Sequence, residues 1–264
     1  MAKCNESAEI LRNIAIHDRI AKRYDRIHGE IFNDVEQSRL RADVKHAVDS
    51  ISSGSLNALD FGCGSGNLTR HLLENGCSVT SADVSQGFLD LVQSRYPTVD
   101  THRLNGIDLS EIATSTFDIV ATYSVLHHVP DYLAAVREMA RVCKPGGVLY
   151  LDHEPSEGFW MRDAEFEAFQ KKALKIDWRK FLTPMNYIHK LRSLGNPRYS
   201  NEGDIHVWPD DHVEWPKIID ALPGFEVVVE KDYLVCRALY RRQVFEAAQG
   251  RLSDMRVMIL RKRL

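Results

Sequence analysis

The chain has 264 residues, of which 44% are hydrophobic, a composition that suits one well-buried α/β domain with an embellishment. Its formal net charge of −3 gives it no general attraction to nucleic acid or to an anionic membrane, and no apolar run approaches the length of a membrane span. The five cysteines are scattered without a C-x-x-C pair, and the first residues lack a signal-peptide core. We therefore expect a cytoplasmic protein with reduced thiols.

Four regions follow one another along the chain. Residues 1–50 are expected to form an N-terminal helical cap segment, because isoleucines recur there at helical spacing between charged residues. Residues 51–154 are expected to form the core of the fold. Residues 155–222 are expected to be a cap or lid inserted after the fifth strand, and residues 223–264 to complete the sheet.

Within the core, strands and helices are predicted to alternate, which is typical of a parallel sheet with helical crossovers. The first predicted strand ends near Asp60, and the next four span residues 79–83, 101–104, 117–122 and 148–151. Helices are predicted at 67–73 and 131–142. In the last region, strands at 224–229 and 255–260 are predicted on either side of a helix at 239–251.

Residues 59–66, Leu-Asp-Phe-Gly-Cys-Gly-Ser-Gly, are the most informative stretch. Glycines are needed where a strand turns sharply into a helix and the backbone must lie close against a ligand. Such a turn predicts a nucleotide site at the carboxyl edge of a parallel sheet. About twenty residues further on, Asp83 ends the second strand, where a carboxylate can accept both hydroxyls of a ribose.

This succession resembles the class I S-adenosylmethionine-dependent methyltransferases of the small-molecule type. The pattern acid-x-Gly-x-Gly-x-Gly is complete from Asp60 to Gly66, and Phe-Asp-x-Val at 117–120 and Leu-His-His-Val at 126–129 continue the resemblance. The nicotinamide and flavin fingerprint would instead need glycine at position 67, where this chain has Asn67.

The resemblance implies a Rossmann-like, doubly wound α/β fold with a seven-stranded, mostly parallel sheet. In this family the last two strands form an antiparallel hairpin at the edge of the sheet. In this chain a helix is predicted between those two strands, which differs from the family's pattern. The pairing of the hairpin therefore stays open.

The resemblance also implies that S-adenosyl-L-methionine is the cofactor. The glycine turn would face its methionine moiety, with an acid nearby for the ammonium group, a second acid for the ribose and a third for the adenine. The residues concerned are Asp60, Gly62, Cys63 and Gly64 in the turn, Asp83 for the ribose, Val84 for one face of adenine, Asp108 with Leu109 for the adenine edge, and Tyr123 and Ser124 beneath the methionine end. Asn105 with Gly106 is the alternative for the adenine edge.

Methyl transfer is an in-line displacement at carbon, so the protein must mainly align the reactants and exclude water. A base is required only when the acceptor must lose a proton. Candidates follow the fourth strand (His127 and His128) and the fifth (Asp152, His153 and Glu154), and we favour His128 or His153 as the acceptor-facing residue. Residues 20–25 resemble a segment that folds over the cofactor in small-molecule members, which makes Tyr24 a further candidate. The alternative is an ordinary amphipathic helix.

The insertion at 155–222 holds all four tryptophans of the chain. Leaving the carboxyl edge of the sheet, it is placed to cover the site as a lid, although its aromatic residues could equally form a satellite core. Basic residues cluster between Lys171 and Arg198, which indicates either a solvated helix face or attraction of an anionic acceptor. The acids and histidines between Asp204 and His212 have no spacing that predicts a metal site, and no metal is expected.

A small-molecule acceptor, anionic or related to glycans or lipids, is the favoured substrate. Enzymes that methylate base amines usually carry [N/D]-P-P-[Y/F/W] after the fourth strand, whereas this chain has Thr-Tyr-Ser-Val at 122–125, so nucleic acid is not expected. A protein or RNA methyltransferase that docks through the basic insertion is one alternative. A catalytically silent protein that binds the cofactor or a partner is the other.

Overall fold

The computed structural model describes residues 14–15, 17–51, 54–161, 163–175 and 213–264. Seven strands form one sheet in the order β3-β2-β1-β4-β5-β7-β6. They are β1 (Asn57–Phe61), β2 (Ser78–Asp83), β3 (Asp100–Arg103), β4 (Phe117–Tyr123), β5 (Cys143–Pro155), β6 (Phe225–Tyr233) and β7 (Met255–Lys262). Within this sheet only β7 runs antiparallel to its neighbours, so the predicted fold class is confirmed.

Helices lie between most of these strands. They are α1 (Tyr24–Ile27), α2 (Asp34–Asp49), α3 (Asn67–Glu74), α4 (Gln86–Arg95), α5 (Tyr132–Val142), α6 (Glu157–Met161), α7 (Ala164–Ala173), α8 (Trp215–Ala221) and α9 (Arg242–Ala248), with 3₁₀ turns at Ala21–Arg23 and Leu126–His128. Several begin after a side chain that caps them: Asn33 before α2, Ser85 before α4 and Asp131 before α5 each accept a bond from a first-turn N–H group.

Two apolar layers cover the two faces of the sheet, which is why the central strands are buried almost throughout. On one face α2, α3 and α4 pack side chains such as Leu40, Leu72 and Val92 against the strands. On the other face α5 and α8 contribute residues such as Met139 and Trp215. Hydrophobic burial from both sides therefore holds the parallel strand ends in place.

The strand order reverses between β1 and β4, because β2 and β3 lie on one side of β1 and β4 and β5 on the other. In open α/β sheets such a switch point leaves a crevice beyond the carboxyl ends of the strands. The fold thus places the predicted glycine turn at the position where a ligand is expected.

The last two strands do pair as an antiparallel hairpin, from Phe225 opposite Lys262 to Tyr233 opposite Met255. The helix between them, α9, is shorter than predicted and does not interrupt the pairing. Its apolar residue Phe245 packs into a separate cluster with Phe166 and Phe169 of α7, away from the two layers of the sheet.

Three aromatic residues in the described parts of the insertion are buried in packing. Trp215 is buried in the second apolar layer, where its indole N–H donates to the carbonyl of Pro155 at 2.9 Å. Phe166 and Phe169 form the satellite cluster with Phe245. Trp178, Trp208, the basic residues from Arg179 to Arg198, and the segment from Asp204 to His212 lie outside the described residues, and the four-region division of the chain stays a prediction. Within the described ranges, we find no helix that is long and apolar enough to cross a membrane.

Candidate functional site

The turn between β1 and α3 has the geometry that its glycines predict. Gly62, Gly64 and Gly66 have φ angles of 72°, 49° and 85°, in the left-handed region that glycine adopts without strain. A Cβ atom on Gly62 would lie only 2.5 Å from Cγ2 of Val125, a residue of the loop after β4. Glycine is therefore required there by close contact as well as by backbone conformation.

Asp60, at the end of β1, is buried behind this turn. Its Oδ2 accepts a hydrogen bond from the Thr69 hydroxyl at 2.6 Å, and that hydroxyl lies 2.8 Å from the hydroxyl of Ser81. Burial raises the pKa of Asp60 to about 7, although the hydrogen bonds from Thr69 act to lower it. A positive group nearby would favour the ionised form of this acid.

Asp83, at the end of β2, ties the turn to the second strand. One carboxylate oxygen accepts from the backbone N–H of Gly64 at 2.9 Å, and the other accepts from that of Ser85 at 2.8 Å. Burial raises the pKa of Asp83 to about 6, while the bonds from Ser85 and Gly64 oppose the rise. Among the described residues, neither Asp60 nor Asp83, the two acids predicted to bind the cofactor, has a cationic side chain as its main partner.

One cavity lies over the glycine turn, and every residue predicted to bind the cofactor lines it: Asp60, Gly62, Cys63, Gly64, Asp83, Val84, Asp108, Leu109, Tyr123 and Ser124. Tyr24 and His128 line the same cavity, whereas His153 does not. The structure therefore brings together residues from five separate segments of the chain. The role of each in binding or catalysis stays a prediction.

The adenine alternatives are distinguished by their own contacts. The Asn105 side chain is turned into its loop, where its oxygen accepts from the N–H groups of Ile107 and Asp108. Asp108 lines the cavity and accepts from the hydroxyl of Ser110 at 2.6 Å and from the Asn105 amide at 2.9 Å. Hydrogen bonds lower the pKa of Asp108 to about 2; the bond from the Ser110 side chain has the largest effect, and the bond from Asn105 has the next largest. Gly106, of the alternative pair, lines the same cavity, so the choice between the two pairs stays a prediction.

The two histidines after β4, His127 and His128, make different contacts. Glu154 of β5 is fully buried and accepts from the backbone N–H groups of Val125, Leu126 and His127 at 2.8, 2.7 and 3.1 Å. The same carboxylate lies 2.7 Å from Nδ1 of His127. His128 instead lines the cavity, with its ring centroid 4.0 Å from that of His127. Glu154 therefore fixes the loop that presents His128.

The structure does not bring His153 to the cavity. The pairing of β5 with β7 slips between Asp152 and Glu154, and His153 has a φ of 61°, so this bulge turns its ring into the protein. Its Nδ1 lies 3.0 Å from both the Tyr123 hydroxyl and the Tyr233 hydroxyl.

A buried network behind His153 went undetected in the sequence. Asp152 accepts from Tyr150 at 2.6 Å, from Tyr233 at 2.9 Å and from Arg39 of α2 at 3.0 Å. The guanidinium carbon of Arg39 also lies 3.8 Å from the centre of the Tyr233 ring. Because these residues are far apart in the sequence, no local motif could have indicated the network.

The N-terminal segment lies over the cavity and is fastened to α4. Oδ1 of Asp18 accepts from the Ser85 hydroxyl at 2.5 Å and from the N–H of Gly87 at 2.9 Å. The ring of Tyr24 meets that of Phe88 edge-on at 5.2 Å. Phe88 lines the cavity but was not predicted from the sequence, where no motif marks it.

Two polar groups in the cavity wall suit a polar ligand. Asn67 Nδ2 and Ser65 Oγ are buried and find no hydrogen-bond partner among the described residues. A buried polar group without a partner costs about 1–3 kcal/mol, so a bound ligand would recover this loss. With the close backbone at Gly62 and the acids Asp60 and Asp83, the site fits a cofactor that carries hydroxyls and a cationic amino-acid end.

Residues 59–151 match a protein-family model described as a methyltransferase domain. The strand order and the glycine-turn cavity agree with this match, which supports a methyltransferase domain of the class I S-adenosylmethionine-dependent type over these residues. An S-adenosylmethionine-dependent methyltransferase from Mesorhizobium loti has the same fold, with a TM-score of 0.55 over 88% of this chain and 98% of its own, at 19% identity.

Two relatives carry the same name. The ubiquinone biosynthesis O-methyltransferase of Hahella chejuensis is 29% identical over 143 residues, which cover 51% of this chain and 60% of that protein. The protein of the same name from Pseudomonas aeruginosa is 29% identical over 134 residues, which cover 48% of this chain and 58% of that protein. The chain thus spans about three fifths of the length of these relatives.

Proposed function

We propose that this chain transfers the methyl group of S-adenosyl-L-methionine to a small-molecule acceptor by in-line displacement. The observation that carries the proposal is the single cavity lined by every residue that the sequence assigned to the cofactor. These residues come from the ends of β1, β2 and β4 and from the loop after β3, so their convergence is a property of the fold.

The residues of the chain have separate tasks in this proposal. Asp83 accepts from the ribose hydroxyls, the backbone at Gly62 and Gly64 lies against the methionine moiety, and Asp60 balances the charge of its ammonium. Asp108 and Leu109 face the adenine. When bound, the cofactor supplies a methyl group already activated on a sulfonium. The remaining work is to align the acceptor and to exclude water, for which the N-terminal segment over the cavity is suited.

The relatives are named as O-methyltransferases, which supports an oxygen acceptor. A hydroxyl acceptor must lose its proton as the O–CH₃ bond forms, so a base in the cavity would assist. His128 and Tyr24 line the cavity and are the candidates we retain. His153, buried between Tyr123 and Tyr233, could act through Tyr123, which lines the cavity.

The expectation of an anionic acceptor depends on the basic residues of the insertion, and those from Arg179 to Arg198 lie outside the described residues. Docking of a protein or RNA through the same residues would be a different function. No described contact favours that alternative.

Isothermal calorimetry on the purified protein tests the proposal. We expect binding of S-adenosylmethionine and of its demethylated product, and far weaker binding of NAD, because Asn67 occupies the position where a dinucleotide site needs glycine. Binding of NAD alone would end the proposal. Binding of the cofactor without turnover of any acceptor in a broad metabolite screen would favour a catalytically silent protein.

A further inference from the structure

We infer that Asn67 and Ser65 hold the carboxylate of the cofactor's amino-acid end, and that Gln37 of α2 is the positioning residue that orients Asn67 for this contact. The inference rests on the proposed function and deepens it, because it assigns the one part of the cofactor that an acid cannot bind. Three observations lead to it: the charges of the cavity, two polar groups without partners in its wall, and the hydrogen bonds that fix the Asn67 amide.

The cavity offers an anion no cationic partner of the usual kind. Its acidic lining residues are Asp60, Asp83, Asp108 and Glu138, and no lysine or arginine of the described part of the chain lines it. A carboxylate that enters such a cavity loses its hydration and faces like charges. It must therefore be held by hydrogen-bond donors that carry no charge of their own.

Two uncharged donors of this kind lie beside the glycine turn. Ser65 and Asn67 both line the cavity, and within the described ranges Ser65 Oγ and Asn67 Nδ2 are buried without a hydrogen-bond partner. Ser65 as a whole is only 2% exposed. The two residues lie on either side of Gly66, the N-cap of α3, which brings no side chain to the first turn of the helix. The N–H groups of a first turn favour an anion, so the helix end suits the same ligand as the two side chains.

Gln37 determines which way the Asn67 amide is turned. Nε2 of Gln37 donates to the carbonyl of Ile31 and to Oδ1 of Asn67, each at 3.0 Å. Because the Ile31 carbonyl can only accept, it fixes which end of the Gln37 amide is the nitrogen. That nitrogen can only donate, so it must face the oxygen of Asn67. The nitrogen of Asn67 is thereby left for another partner.

Arg70 gives the same orientation from the other end of Gln37. Its guanidinium donates to Oε1 of Gln37, and Nε2 of His71 lies 3.0 Å from that oxygen. A guanidinium has donors and no acceptor, so it too requires the oxygen of Gln37 on its side. A row of hydrogen bonds thus runs from the cation of Arg70 through Gln37 to Asn67. Hydrogen bonds in such a row polarise one another, which makes the Asn67 amide a better donor to an anion.

Two ligands that differ only in the carboxylate test the inference: S-adenosylhomocysteine and its decarboxylated form, which keeps the ammonium group. Their binding to the intact protein is measured by calorimetry, so no acceptor or turnover is needed. We expect the wild type to bind S-adenosylhomocysteine about tenfold or more tightly than the decarboxylated form. Asn67→Ala should lose about tenfold in affinity for S-adenosylhomocysteine and less than about threefold for the decarboxylated form.

Controls and a second variant keep the test decisive. Asn75→Ala, just after the other end of α3, removes a hydrogen bond to the His71 carbonyl and should change neither affinity. Ser65→Ala should repeat the selective loss, so the result does not depend on one variant. Equal losses for the two ligands in Asn67→Ala and Ser65→Ala, or equal affinities in the wild type, would overturn the inference and leave the proposed function standing. Failure of the wild type to bind S-adenosylmethionine or S-adenosylhomocysteine would refute the proposed function itself.

Gln37→Glu tests the positioning role. Gln37 does not line the cavity, and a Glu side chain cannot donate to Asn67, so the Asn67 amide should turn its nitrogen away from the ligand. We expect about tenfold weaker binding of S-adenosylhomocysteine, with little further loss when Gln37→Glu is added to Asn67→Ala, because both changes remove the same contact. Gln93→Glu, the same change at an exposed residue of α4, is the control. Additive losses in the double variant would show that residue 37 acts on the ligand by charge alone and would overturn its positioning role.

Discussion

At the scale of single residues, the site depends on acids that are buried without a cation as their main partner. Asp60 relies on the Thr69 hydroxyl and Asp83 on backbone N–H groups, and burial raises the pKa of both. The ionised form of such a buried acid is disfavoured until a bound ligand supplies a positive charge or hydrogen-bond donors. Binding and protonation in this cavity are therefore expected to be linked.

Replacement of Asp83 tests its assigned role. We expect Asp83→Ala to weaken binding of S-adenosylmethionine by about 1–3 kcal/mol, because the ribose hydroxyls lose a charged acceptor. Asp90→Ala in α4 is the control, since Asp90 is exposed and accepts a hydrogen bond from Gln86. Calorimetry on the three proteins measures the difference, and an affinity unchanged in Asp83→Ala would place the ribose elsewhere.

The pH dependence of stability tests the state of Asp60. Burial raises the folded-state pKa of Asp60 to about 7 from 3.8, so between these values the folded protein binds more protons than the unfolded chain. The free energy of unfolding of the unliganded protein should therefore fall as pH rises from about 4 to about 7.

The variant Asp60→Asn isolates this effect, because Asn keeps an oxygen for Thr69 and does not titrate. Denaturant unfolding at several pH values should show a shallower fall in the variant than in the wild type. The affinity of the wild type for the cationic cofactor should meanwhile increase over the same pH range. Identical pH profiles for the two proteins would show that Asp60 is ionised throughout.

At the scale of elements, the loop after β4 is organised by a strand that follows it in the chain. Glu154 of β5 accepts from Val125, Leu126 and His127, and so determines where Val125 meets Gly62 and where His128 enters the cavity. The glycine turn and the loop after β4 are therefore coupled through one contact. We assign Glu154 as a positioning residue.

Glu154→Gln should loosen that loop. The amide keeps one acceptor oxygen but replaces the other with a donor, which leaves buried N–H groups short of a partner at about 1–3 kcal/mol. Hydrogen exchange at the amides of residues 125–127 should accelerate, and cofactor affinity should fall. Glu111→Gln, at an exposed carboxylate, is the control and should change neither. Unchanged exchange in Glu154→Gln would remove Glu154 from this role.

At the scale of the whole molecule, packing is divided into two layers on the sheet and a satellite cluster built by α7 and α9. The satellite cluster does not border the cavity through Phe166, Phe169 or Phe245. These aromatic side chains therefore serve stability, while the residues proposed to bind the cofactor lie at the sheet edge. This separation answers, for the described part of the insertion, which of its aromatic residues form a core.

Phe169→Ala tests that separation. We expect a loss of about 3–5 kcal/mol in the free energy of unfolding, because the change leaves a cavity in the cluster. Affinity for S-adenosylmethionine in the folded fraction should stay within error of the wild type. A loss of affinity with normal stability would instead link the cluster to the site. If Phe169→Ala does not fold, Phe169→Leu allows the same comparison.

Much of the fold could be predicted from local patterns. The strands ending at Asp60 and Asp83 and the helix starting after Asp131 lie within a residue or two of their predicted limits, because their apolar spacing and capping residues are properties of neighbours in the chain. The glycine turn was predictable for the same reason, since positive φ angles select glycine locally. Its spacing from Asp83 predicted a nucleotide site, and the resemblance of the whole succession of motifs indicated the methyltransferase type.

Other features depend on contacts between distant segments, and only the tertiary structure decided them. A bulge between β5 and β7 turns His153 towards Tyr123 and Tyr233, although its position after β5 suggested the cavity. The last two strands pair across α9 because residues far apart in the chain meet along the sheet edge. Phe88 became a wall residue only because the N-terminal segment folds over α4. Periodicity and motifs report on neighbouring residues, whereas the environment of each side chain depends on which remote segments pack against it.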